Sequence, residues 1–135
     1  MADTWAFDLE NTIFTILKTK GKAEFVSDFP NIRFTTNNQS MDDAVFPTVY
    51  MHELAGTEYT DLEGTAINAV METIQVDVMT NTSQTDAKAV MAAVVDIFKQ
   101  MRFQITAMPE IGSGTDTTYR TTARFRRVIG ANDTL

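Results

Sequence analysis

The chain is 135 residues long, 44% hydrophobic and without cysteine, and it carries a formal net charge of −7. That is the size of one domain with a core of its own, and the missing thiols exclude disulfides, thiolate nucleophiles and cysteine metal sites. No stretch approaches the ~18 consecutive apolar residues of a membrane span, and "MADTWAFDLE" lacks the basic-then-apolar order of a signal peptide, so neither membrane nor export is expected.

The first segment, "DTWAFDLENTIFTILKTKGK", sets Trp5, Leu9, Ile13, Ile16 and Leu17 at helical spacing. Asp8 and Glu10 stand early and Lys18 and Lys20 late, as the helix dipole favours, and Gly21 reads as the stop signal. In "FPNIRFTTNNQ", Ile32 and Phe34 alternate with Arg33 and Thr35, which predicts a short strand. "AVFPTVYMHEL" alternates again, Val49 and Met51 against Tyr50 and His52, with Pro47 at the strand's start or at an edge.

The next stretch, "LAGTEYTDLEGTA", has two glycines. With its flank it holds Glu53, Glu58, Asp61 and Glu63, so residues 53–65 read as an acidic loop or projecting hairpin. "METIQVDVMTN" is the clearest strand: Ile74, Val76 and Val78 face one way, Gln75 and Asp77 the other, toward water. Ser83, followed by Asp86, opens a second helix in the manner of a capping box. Its stripe of Ala87, Val90, Met91, Val94, Ile97, Phe98 and Met101 must lie on a sheet.

A hairpin closes the domain. "RFQITAMPE" sets Phe103, Ile105 and Ala107 against Gln104 and Thr106, "IGSGTDT" turns, and "TTYRTTARFRRVIG" returns, with 130–135 as a short tail. The order α-β-β-β-α-β-β predicts a single α+β domain over 1–135. Its sheet should be mostly antiparallel, of about five strands, with two helices packed on one face.

Charge is uneven along this chain. Residues 1–119 hold seven basic and seventeen acidic side chains, a balance of −10, whereas "RTTARFRR" (120–127) adds four arginines. Alternation puts Tyr119, Thr121, Ala123, Phe125, Arg127 and Ile129 on one face and Arg120, Thr122, Arg124 and Arg126 on the other. Three readings compete: a solvated face whose arginines contribute little, a contact between subunits, and a grip on DNA. The acidity of the rest of the chain counts against DNA, and an acidic partner surface is the preferred reading. Arg120, Arg124 and Arg126 on one side, with Glu53, Glu58, Asp61 and Glu63 on the other, are the candidate interface residues.

Catalysis finds little footing. His52 is the only histidine, Ser83 suits a helix cap, Asp42 and Asp43 suit a turn, and "GSGTDTT" lacks the lysine and helix of a phosphate loop. No catalytic residue, cofactor or metal is expected. The eight methionines read as core filler.

The arrangement resembles the tail terminator (tail completion) family of tailed phages, related to minor tail and head–tail joining proteins. The stretches that carry the resemblance are "TWAFDLENTIFTILK", "FPTVYMHEL", "TIQVDVMTN" leading into "SQTDAKAVMAAVVDIFKQM", and "FQITAMPE" paired with "TTYRTTARFRRVI". The resemblance implies a virion protein of the tail or neck, assembled in the host cytoplasm as a homo-oligomeric ring, a hexamer being favoured. Such a ring caps the tail tube and offers the joining surface to the head, so its partners are itself, the tail tube protein and the head–tail connector. DNA would pass through it without specific binding. Two alternatives stand beside this: a head-side connector (stopper or adaptor) of the same neck, and a soluble α+β small-molecule binding domain or enzyme with a pocket between helix and sheet.

Overall fold

Helix, strand and cap signals resolve into seven elements in a computed structural model, which describes residues 8–36, 46–60, 67–113, 118–130, 133 and 135. In chain order they are α1 (Leu9–Glu24), β1 (Arg33–Thr35), β2 (Thr48–Thr60), β3 (Ile67–Thr80), α2 (Gln84–Gln100), β4 (Gln104–Ser113) and β5 (Tyr119–Gly130). The strands form one sheet in the order β1-β2-β3-β5-β4. All pairings are antiparallel except β1 with β2. The α+β class and the expected element order are both present. Trp5, Asp42, Asp43, Asp61 and Glu63 lie outside the described residues.

The sheet buries one face. Val49, Met51, Ile74, Val76, Val78, Ala123, Phe125 and Ile129 are closed from water, as their two-residue spacing predicts. They join one core with Leu9, Ile13 and Leu17 of α1 and Val90, Met91, Val94, Ile97 and Phe98 of α2. Both helices therefore cover the same face, with α2 packed on β3, β4 and β5 and α1 beside it. Phe98 is the centre of this contact, stacked on Phe125 at 4.2 Å between ring centroids and edge-on to Phe103 at 5.2 Å. Burying each such side chain stabilises the fold by about 1.5–3 kcal/mol.

Local signals behave as their chemistry requires, with four differences. Ser83 caps α2 by accepting the Asp86 amide at 3.1 Å. The return half of the capping box does not form there, because the Asp86 carboxylate takes the Thr82 hydroxyl. Gly21 does not stop α1, which runs on to Glu24. It is instead a point of close approach: a Cβ there would lie 2.2 Å from Phe34 Cζ, so only glycine lets β1 reach the helix. The stretch read as an acidic loop or projecting hairpin is no loop as far as Thr60: it is strand, paired antiparallel with β3 across a bulge between Leu54 and Thr57, as the hairpin alternative requires. β4 likewise continues to Ser113, so the first residues of "IGSGTDT" are ladder and not turn.

Two smaller expectations concern Pro47 and the chain's end. Pro47 does sit just before β2, and its carbonyl accepts the Arg33 amide at 2.9 Å, tying β1 to the start of β2. Beyond β5, Asp133 accepts the Gly130 amide at 2.7 Å, and Leu135 packs against the core.

Candidate functional site

The face of the sheet that the helices leave uncovered is where the arginines stand. Register sets its side chains in rows across three strands. Tyr50, Asp77 and Thr122 form one row and His52, Gln75 and Arg124 the next, while Arg126 lies opposite Thr73 on one side and Gln104 on the other. Side chains so opposed are the contacts that hold a sheet face together.

Asp77 is the hub of this face. It was expected to be wet, yet it is only 2% exposed. One carboxylate oxygen accepts from Thr122 Oγ1 at 2.5 Å and from Gln75 Nε2 at 3.4 Å. The other meets Arg120 Nη2 at 3.0 Å, with His52 Nε2 at 3.7 Å. Tyr50 stacks on His52 with ring centroids 4.8 Å apart and planes within 8°. Arg124 Nε donates to Gln75 Oε1 at 2.9 Å. The cluster joins β3 and β5 through charge-assisted bonds centred on the buried Asp77, with His52 of β2 close beside it.

Three of the four arginines of "RTTARFRR" fall on this face as alternation predicts, but their situations differ. Arg120 and Arg124 already have partners inside the chain, whereas Arg126 is exposed with no ion-pair partner among the described residues. Arg127 lies on the helix side: Nη1 donates to the Met101 carbonyl at 2.8 Å, so it caps the end of α2, and Nη2 is 3.6 Å from Asp133.

Of the four acidic candidates only Glu53 and Glu58 are on described strand, and neither is in register with the arginines. Glu53 has the phase of Val49 and Met51 and belongs to the helix side, not the arginine side. Glu58 lies farther along β2, in register with Val70. Beside Glu53 stands a residue that motif reading passed over, Glu72, in phase with the buried Val70, Ile74 and Val76 of β3 and only 3% exposed. Burial pushes its carboxyl up to about 8, helped by a hydrogen bond and charge from Glu53 and by the charge of Glu10 on α1. Glu72 therefore keeps its proton at neutral pH and shares it with Glu53. A glutamate in the core phase of a strand is itself the signal that marks it.

Two open hollows lie among the described residues. One of about 580 Å3 lies between α1 and α2, lined by Lys20, Ala23, Phe25, Ala93, Asp96 and Gln100. The other, of about 410 Å3, lies at the edge of the sheet among Met71, Arg102, Gln104, Arg126, Arg127 and Val128. Neither lies between helix and sheet, where a small-molecule site was considered. Among the described residues no cluster of His, Asp or Glu is arranged to hold a metal ion, and no helix is long and apolar enough to cross a membrane.

No protein-family model matches the chain, and a search of curated proteins finds no match to it.

Proposed function

We propose that the chain is a structural neck protein of a tailed phage, of the tail-terminator type. Copies assemble into a ring that ends the tail tube and presents the joining surface to the head. The observation that carries this reading is the uncovered face of the sheet. It is built of arginines, Gln75, Thr122 and a buried Asp77, and neither helix covers it. Such a face suits protein contact better than solvent, because Arg is enriched where subunits meet. The chain's acidic segment supplies a complement: residues 53–63 hold four acids and no base. The β2–β3 ladder carries that segment past the row where β5 ends, since Ala69 pairs with Gly130 while Ile67 still pairs with Thr60.

In the ring, Arg124 and Arg126 of one subunit face the acidic hairpin of the next. Arg120 is the least available of the three, because Asp77 of its own chain holds it. The net charge of −7 keeps the ring's other surfaces from clinging to passing DNA.

The test is charge reversal. Arg124→Glu with Arg126→Glu should abolish rings in electron micrographs, with or without added tail tube protein. The thermal midpoint should stay within ~2 °C, as expected for exposed side chains. Rings of normal number and size in the double variant would sink the proposal.

A further inference from the structure

The hollow at the sheet edge is unusual for so acidic a chain. Three of the eleven basic residues line it, and Asp133 is the one carboxylate paired with any of them among the described residues. Its origin is a mismatch of strand lengths. β4 begins at Gln104 opposite Arg126, so residues 127–130 of β5 have no β4 partner. At this bare edge, side chains from both faces reach the same space, which is how neighbouring Arg126 and Arg127 come to line one hollow. Met71 and Val128, paired in register, form its apolar wall.

The three arginines are prepared to different degrees. Arg127 is fixed, its side chain only 9% exposed and tied to Met101 and Asp133. Arg126 and Arg102 are exposed and have no ion-pair partner among the described residues. Arg102 is notable for its backbone. It follows α2 with φ of 65°, the left-handed conformation in which helices usually place glycine. An arginine there costs stability that glycine would spare, and uncommon backbone of this kind is a pointer to use of the side chain.

We propose that Arg102, Arg126, Arg127 and Gln104 form a carboxylate site that receives an acidic side chain from residues 53–63 of a second copy of this chain. Guanidinium forks match the planar, two-oxygen carboxylate, and the Gln104 amide adds a neutral donor. A carboxylate on protein is favoured over DNA phosphate because the chain as a whole repels polyanions. The identity of the occupant rests on the ring reading. The hollow adds to it Arg102, Arg127 and Gln104, none of which belongs to the exposed arginine row.

Arg102→Gly separates the two. It fits the backbone, so the thermal midpoint should hold or rise, while self-association by sedimentation velocity should weaken at least ~10-fold. The exchange is checked by mixing. A chain with Arg102→Glu and Arg126→Glu, and a chain with Glu58→Lys, Asp61→Lys and Glu63→Lys, should each fail to associate alone. Mixed one to one, they should recover, because every contact then joins opposite charges. Wild-type association in Arg102→Gly, or no recovery on mixing, overturns the site. If Arg124→Glu with Arg126→Glu disperses the ring but Arg102→Gly does not, the hollow fails and the ring reading stands. If the wild-type chain forms no ring with or without tail tube protein, the ring reading fails. The site is then decided by anisotropy with a labelled peptide of residues 53–63. Binding that Arg102→Gly weakens ~10-fold supports it. No binding, equal binding of the peptide with its four acids neutralised, or tighter binding of labelled duplex DNA overturns it.

Discussion

Glu72 and Asp77 stand five residues apart on β3, on opposite faces of the sheet, and both are almost closed from water. Asp77 is surrounded by hydrogen-bond donors from β3 and β5: Arg120, Thr122 and Gln75. Glu72 is surrounded by acids, Glu53 on β2 and Glu10 on α1. Arg127 lies directly opposite Glu72 in register, yet its guanidinium turns to Met101 and Asp133. Register alone therefore does not pair charges. A buried carboxyl is settled by which neighbours have hydrogens to give, and one sheet contains both outcomes. Asp77 ties β3 to β5 on the face that no helix covers, whereas Glu72 is a cost carried by the helix-covered face.

The largest break in that contrast is Asp77→Ala. It leaves Arg120, Thr122 and Gln75 facing one another without an acceptor. Breaking a buried pair costs ~3–5 kcal/mol. Arg120, 43% exposed, can turn to water, which lowers the expected loss to about 3 kcal/mol. In urea unfolding this should appear as a lower midpoint with unchanged slope, and a loss under ~0.5 kcal/mol would remove Asp77 as the hub.

Glu72→Gln should act in the other direction. The carboxyl is ordinary at 4.5 when unfolded and held near 8 when folded, so the folded chain binds the extra proton between those values. The stability tied to that proton is complete below pH ~4.5 and is lost as pH rises through 8. Glutamine, neutral throughout, should match wild type at pH 4.5 and exceed it by a few kcal/mol above pH 8. Thermal midpoints across pH 4.5–9 read this directly, and parallel curves for the two proteins would show that Glu72 is not the group responsible.

Much of this architecture was legible in the sequence, and what was not has physical reasons. Period-two alternation placed Thr121, Ala123, Phe125 and Ile129 inside and Arg124 and Arg126 outside, because burial on one face selects side chains one by one. The stripe of α2 was equally plain. Gly21 was misread because its purpose lies in Phe34, a contact between distant parts of the chain that no local pattern contains. Residues 53–60 resembled a loop in composition, but pairing with β3 overrode local preference, and the strand's phase then put Glu53 on the helix side. Asp77's outward phase was readable. Its burial was not, since that depends on partners from β2, β3 and β5.

The smallest expected effect bears most directly on function. Arg120 contributes one of several contacts to Asp77 from a half-exposed position, so Arg120→Gln should cost only about 1 kcal/mol. A double-mutant cycle with Asp77→Ala should return a coupling of similar size. If the cycle gives no coupling, the pair contributes nothing and Arg120 is free to bind a neighbour. If it gives the expected value, Arg120 is committed within its own chain, and Arg120→Gln should leave self-association unchanged. Arg124→Glu with Arg126→Glu should disperse it. The arginine row would then be divided by function along the strand, its first member holding the sheet together and its last, next to the hollow at the bare edge of β5, left to meet another subunit.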